Sequence, residues 1–129
     1  MTNLADAARQ ITAAQKLVEE HERINEAQRV LEAQNKLIED SKVWAQEQVE
    51  VCRAAILKTA SEGRSTLYHS IAMWEDDVSE RTTQRAYALK TLLENEGLKI
   101  KVDYDRNDPV GSDPMFYTTV YSTNLIINW

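Results

Sequence analysis

An α+β fold is what this sequence predicts: a long, coiled-coil-like N-terminal helix, then a small β-α-β-β body with a three-stranded sheet. Three observations carry that expectation. From Asn3 to Glu62 the chain holds neither glycine nor proline, the two residues that most penalise a helix interior. After Gly63 the period of the apolar residues changes from helical to alternating. Gly97 then separates a second helical stretch from a run in which every other residue is apolar.

The first helix starts at Thr2 or Asn3, either of which can cap it, with Asp6 in the first turn where a negative charge suits the helix dipole. Sixty helical residues at about 1.5 Å each would reach roughly 90 Å, so the apolar stripe needs covering by partners. Leu4, Ile11 and Val18 recur at seven-residue spacing with Ala7 and Ala14 between them. Near residues 17–18 the seam shifts, as in a stutter, and continues as Leu17, Ile24, Leu31, Ile38, Ala45 and Cys52. A second row, Val30, Leu37, Trp44 and Val51, flanks it, while Gln34, Ser41 and Gln48 dilute its centre. The predicted oligomer contacts are Leu17, Ile24, Leu31, Ile38, Trp44 and Ala45. A hairpin folded back at Asp40-Ser41 is the rival arrangement.

Ser61-Glu62-Gly63 is a helix stop, with Gly63 in the left-handed C′ position. Thr66–Trp74 reads as a strand, with Leu67, Ile71 and Met73 on one side and Tyr68, Ser70 and Ala72 on the other. Asp76, Asp77 and Ser79 are candidate caps for a helix through Glu96, whose Val78, Ala86, Leu89, Leu92 and Leu93 fit helical spacing. Leu98, Ile100, Val102 and Tyr104 alternate with Lys99, Lys101 and Asp103. Arg106–Pro114 reads as a turn-rich loop, and a last strand runs from about Phe116 to Trp129, twisted or bulged around Ser122–Asn124. A crossover through the middle helix, a long-looped final hairpin and helices on one sheet face follow. Residues 1–50 are then a stalk and 51–129 a small domain.

Composition narrows the function classes. The formal net charge is −6 over 129 residues, with ten acids against six bases in the first fifty and eleven against nine thereafter. No basic face emerges, which argues against nucleic acid as a partner. A single cysteine, Cys52, leaves no intrachain disulfide and reads as a buried, inert thiol. No apolar run reaches membrane-spanning length, and MTNLADAARQ has no signal-peptide pattern.

Residues from about 50 to 129 resemble a module found in small proteins of tailed bacteriophages. The residues that carry the resemblance are Ala54-Ala55-Ile56, Ala60, Gly63, Leu93 to Gly97, Lys99 to Val102 and Ile126-Ile127-Asn128-Trp129. The resemblance implies a viral accessory or virion part and transfers no functional residues. The long first helix departs from the shorter forms and suggests an added attachment or oligomerisation device.

Candidate chemistry is sparse. Asp103-x-Asp105-x-Asn107 matches the opening of a calcium loop, but Asp108 stands where glycine belongs and Pro114 where a glutamate belongs; a solvated acidic turn is the simpler reading. Glu75-Asp76-Asp77 precedes a helix, where carboxylates have a structural reason to be. His21 and His69 are the only histidines, one in each half. No nucleophile motif or phosphate loop occurs. The aromatics Trp74, Tyr104, Phe116, Tyr117, Tyr121 and Trp129, in or beside strands, suit core and interface packing.

The expectation is a non-enzymatic phage protein without cofactor or metal, self-associating through its N-terminal helix as a virion structural or assembly component. Its partners are further copies of itself and another phage protein; its place is the host cytoplasm during infection, then the virion. The alternative is a phage-encoded inhibitor, or a sponge for a signalling nucleotide, whose pocket would draw on Arg53, Arg64, Arg81, Arg85 and Tyr87.

Overall fold

The computed structural model describes residues 3–108 and 118–129. Five elements follow in order: α1 (Leu4–Ser61), β1 (Thr66–Glu75), α2 (Glu80–Glu94), β2 (Lys99–Asn107) and β3 (Val120–Asn128). The α+β class is as expected, and α1 passes through Asp40 and Ser41 without a break, which overturns the hairpin alternative. Asn3 is the cap, its Oδ1 accepting from the Asp6 backbone N–H at 2.8 Å. Both helices end in one device. Gly63 (φ 81°) and Gly97 (φ 86°) turn left-handed, and the amides of Arg64 and Leu98 donate back five residues to the carbonyls of Thr59 and Leu93, which satisfies carbonyls the last turn would orphan.

The chain divides into two compact units, Met1–Lys36 and Leu37–Trp129. The boundary therefore falls within α1 and well before the expected residue 50. Its cause is the row Ser41, Ala45, Val49 and Cys52, buried in the core of the second unit. Against it lie Ala86, Leu89 and Leu93 of α2 and Leu125 and Ile127 of β3. The α1 row is made of mostly small side chains at helical spacing, and all four are buried. Ser41 was read as a dilution of the seam, yet it is 2% exposed. Its Oγ donates to the Leu37 carbonyl at 2.7 Å, so the hydroxyl enters the core already satisfied. Ala45, predicted at an oligomer contact, is fully buried in the chain's own core and offers no surface to another chain.

The sheet order is β1-β3-β2, and both pairings are antiparallel. β1 and β2 are consequently parallel to each other, with β3 inserted between them, so the crossover through α2 skips one strand. The final hairpin pairs without irregularity from Lys99↔Asn128 to Asn107↔Val120. It is pinned by Asp108 Oδ1, which accepts from Arg106 Nε and from Thr119 Oγ1, both at 2.9 Å. Arg106 thus belongs to β2, not to a loop, and Asp103, Asp105 and Asn107 lie on a strand, which removes the calcium-loop and acidic-turn readings together. Phe116 and Tyr117 lie outside the described residues.

The irregularity expected at Ser122–Asn124 sits on the opposite strand. β1 carries one extra residue between Ser70 and Ala72 and another between Ala72 and Glu75, with Trp74 at φ 63°, a costly conformation for a bulky residue. Each bulge flips the alternation. Leu67, His69 and Ile71 face inward, but Met73, assigned to the same side by parity, is 57% exposed.

Ser79 caps α2, its Oγ accepting from the Thr82 amide at 3.1 Å. Glu75 supports this cap, accepting from Thr82 Oγ1 at 2.6 Å and from the Ser79 amide at 3.3 Å. Thr123 is less well served. It is 1% exposed, and its Oγ1 has no hydrogen-bond partner. Thr123→Val keeps the shape and removes the orphan hydroxyl, so denaturant unfolding should show a gain of about 1 kcal/mol.

Candidate functional site

The described residues offer three surfaces with distinct chemistry. The first is α1 from Leu4 to Lys36. Leu4, Ile11, Leu17, Val18, Ile24, Val30 and Leu31 are all exposed there. Three of the predicted contact residues, Leu17 (67% exposed), Ile24 (51%) and Leu31 (57%), are thus available to a partner. Charged residues between them form only solvent-facing pairs, Arg9 with Asp6 and Arg29 with Glu26, which contribute little.

The second surface is a groove of about 340 Å³ between α1 and α2 in the second unit. Ile38, Lys42 and Gln46 line one wall, and Tyr87, Ala88, Thr91 and Leu92 the other. The two helices run side by side in the same direction, since Trp44 meets Arg85 and Arg53 meets Glu96. On α1 the groove runs beside the buried row, along the neighbouring longer side chains. Ile38 faces this groove, whereas Trp44 is partly buried against the core and its ring lies 5.1 Å beneath the Arg85 guanidinium. That intrachain cation–π contact gives Trp44 a partner within its own chain. Tyr87, Ala88 and Thr91 were missed as a set. Their spacing on one face of α2 was visible, but only the neighbouring helix makes it a wall.

The third surface is the sheet face turned away from the helices, with Tyr68, Ile126 and Lys101 in one row across the three strands. Tyr68 is 68% exposed. Thr66 and Asn128 share a hydrogen bond of 2.7 Å on the same face.

The remaining candidates fall into place singly. Arg53 is engaged by Glu50 and by both carboxylate oxygens of Glu96. That hydrogen bonding holds the Glu96 carboxyl below its ordinary value. Arg85 lies over Trp44, nine residues before Arg53 on α1, and Arg53 is turned to Glu96, so each has a separate partner. Arg64 and Arg81 are exposed. Among the described residues no three His, Cys, Asp or Glu side chains converge on a common point. No described helix is long and apolar enough to cross a membrane. His21 is exposed on α1, while His69 is partly buried in β1 with Nε2 3.1 Å from Gln48 Oε1. Gln48, read as a diluting residue, thereby ties α1 to the sheet. Burial pushes the Cys52 thiol up to about 11, too high for a thiolate at neutral pH.

No family model matches this chain, and no curated protein or solved structure shows detectable similarity to it.

Burial lowers the His69 pKa from its ordinary 6.5. The native state therefore prefers the neutral ring, and the unfolded chain takes up the proton first as pH falls. Stability should be full above about pH 6.5 and decline below it, whereas the lowered carboxyls Glu96 and Asp108 act only in the more acidic range. Urea midpoints between pH 7.5 and 5.5 should drop for the natural chain and flatten for His69→Gln. The Cys52 thiol should react with a disulfide reagent only as fast as the protein opens.

Proposed function

We propose that this chain is a non-enzymatic structural or assembly component of a tailed bacteriophage that self-associates through residues 4–36 of α1. The observation that supports this most is the seven-residue spacing of Leu17, Ile24 and Leu31 on a helix where all three are at least half exposed. A helix of this length draws little stability from propensity alone and most of it from packing. A second copy is the occupant that matches, because it brings a helix with the same apolar period, and packing of like helices lets each row fill the gaps of the other. Covering side chains that are still half to two-thirds open contributes about 1–2 kcal/mol each, on the order of 3–6 kcal/mol per chain. The viral assignment rests on the resemblance of residues 50–129 to the phage module, and the virion is the place where such a part would be consumed in stoichiometric amount.

Light scattering coupled to size exclusion should give a multiple of the chain mass for the natural protein. Leu17→Ser/Ile24→Ser/Leu31→Ser should lower the association constant by about 100-fold or more while the unfolding of residues 37–129 stays unchanged. Mass spectrometry of purified particles from the source virus should find the chain at a fixed copy number. A trace amount would sink the virion role, and an unaltered mass for the triple variant would sink the helix contact.

A further inference from the structure

We propose that the free edge of β2 is a second self-association surface, at which β2 pairs antiparallel with β2 of another copy about a twofold axis through Val102. Among the described residues, β2 has a ladder partner on one side only, β3, and that pairing is regular over nine residues. Its other edge presents unpaired backbone groups, a template for another strand. β1, at the opposite edge, is interrupted by two bulges and a left-handed Trp74, which makes it the poorer template.

The side chains of β2 say which strand fits. Lys99, Lys101, Asp103 and Asp105 alternate with Ile100, Val102 and Tyr104 and so share the sheet face turned away from the helices. Antiparallel pairing centred on Val102 sets Lys99 opposite Asp105 of the second copy and Lys101 opposite its Asp103. Symmetry repeats both pairs, so all four facing positions on the open face join opposite charges. On the inner face Ile100 meets Tyr104 of the second copy, and Val102 meets Val102. Tyr104 is 50% exposed within one chain, which leaves part of the ring for that contact.

The same residues disfavour the neighbouring registers, which lose two of the four opposite-charge pairs and add a like pair. A slip of two residues one way sets Lys101 against Lys101, and the other way Asp103 against Asp103. A slip of one residue brings the charged face onto the apolar one. Parallel pairing in register sets lysine on lysine and aspartate on aspartate. Edge strands protected against aggregation carry charges that repel any neighbour; here the basic half and the acidic half are arranged so that one partner, an antiparallel second copy, meets no repulsion. The product is a six-stranded sheet β1-β3-β2-β2-β3-β1 with an isologous interface.

This contact lies wholly in residues 97–107 and is independent of the helix association proposed above. To separate the two, sedimentation equilibrium is run on the full chain carrying Leu17→Ser/Ile24→Ser/Leu31→Ser, up to about 1 mM. A dimer is expected. In the same background an acidic edge (Lys99→Asp/Lys101→Asp) and a basic edge (Asp103→Lys/Asp105→Lys) should each weaken dimerisation by about 100-fold, and their equimolar mixture should restore it as a heterodimer. A monomer in the starting background, edge variants that dimerise normally, or a mixture that stays monomeric each overturns the proposal without touching the helix contact. A second readout needs no edge substitution: amide exchange along β2 should slow as concentration rises through the dimer range, and a rate independent of concentration overturns the pairing as well.

Discussion

Burial of the α1 row Ser41, Ala45, Val49 and Cys52 against α2 and β3 is the constraint on which the second unit depends. At Ser41, Ala45 and Cys52 nothing longer stands between the α1 backbone and the core. α2 answers with Ala86 between Thr82 and Leu89. Larger side chains at these positions would push the helices apart and strain the layer beneath them. The buried row also explains the flanks. Trp44, too large for the row, lies at its side beneath Arg85, and Gln48 reaches His69 on β1. Beside the row, Ile38, Lys42 and Gln46 face the groove.

The sheet is organised by β3. Thr123, Leu125 and Ile127 form its buried face, and both other strands hang on it by antiparallel ladders. A central strand supplied last in sequence means that β1, α2 and β2 have no sheet until the chain returns. It also leaves β1 and β2 as edges, and the two differ in kind: one is bent by bulges, the other is straight and carries a sign-ordered set of charges. A long run of exposed apolar side chains also lies on α1 before residue 37, where charged and amide side chains are interspersed with the exposed rows. Two surfaces of different chemistry thus point to association, one through helix packing and one through strand pairing.

Much of this is legible in the sequence. The absence of glycine and proline to residue 62, with Gly63 beyond it, marked α1 and its end. Alternation at Ile100, Val102 and Tyr104 marked β2. Other features misled for definite reasons. Met73 was placed by parity, and parity fails across a bulge, because an extra residue turns the following side chains over. Ser41 and Gln48 were judged by polarity, although a serine bonded to its own helix is a small apolar-compatible residue and a glutamine can reach a histidine. Ala45 was assigned to an interface because heptad spacing cannot distinguish a partner chain from the same chain's own body. The Lys-Lys-Asp-Asp order along β2 was in plain view, but its meaning required knowing that β2 is an edge.

The amino-acid order alone settled the local matters: which residues are helical, where glycine turns them off, and which strand faces are apolar, since these follow from backbone sterics and side-chain period over a few neighbouring residues. Only the tertiary structure decided the rest. It inserted β3 between β1 and β2, divided α1 after residue 36 into an exposed part and a part that carries the buried row, drew Ala45 into the chain's own core and packed Trp44 against it. Those outcomes depend on contacts between residues far apart in sequence, where volume and hydrogen-bond partners supplied by other elements determine whether a given face is covered.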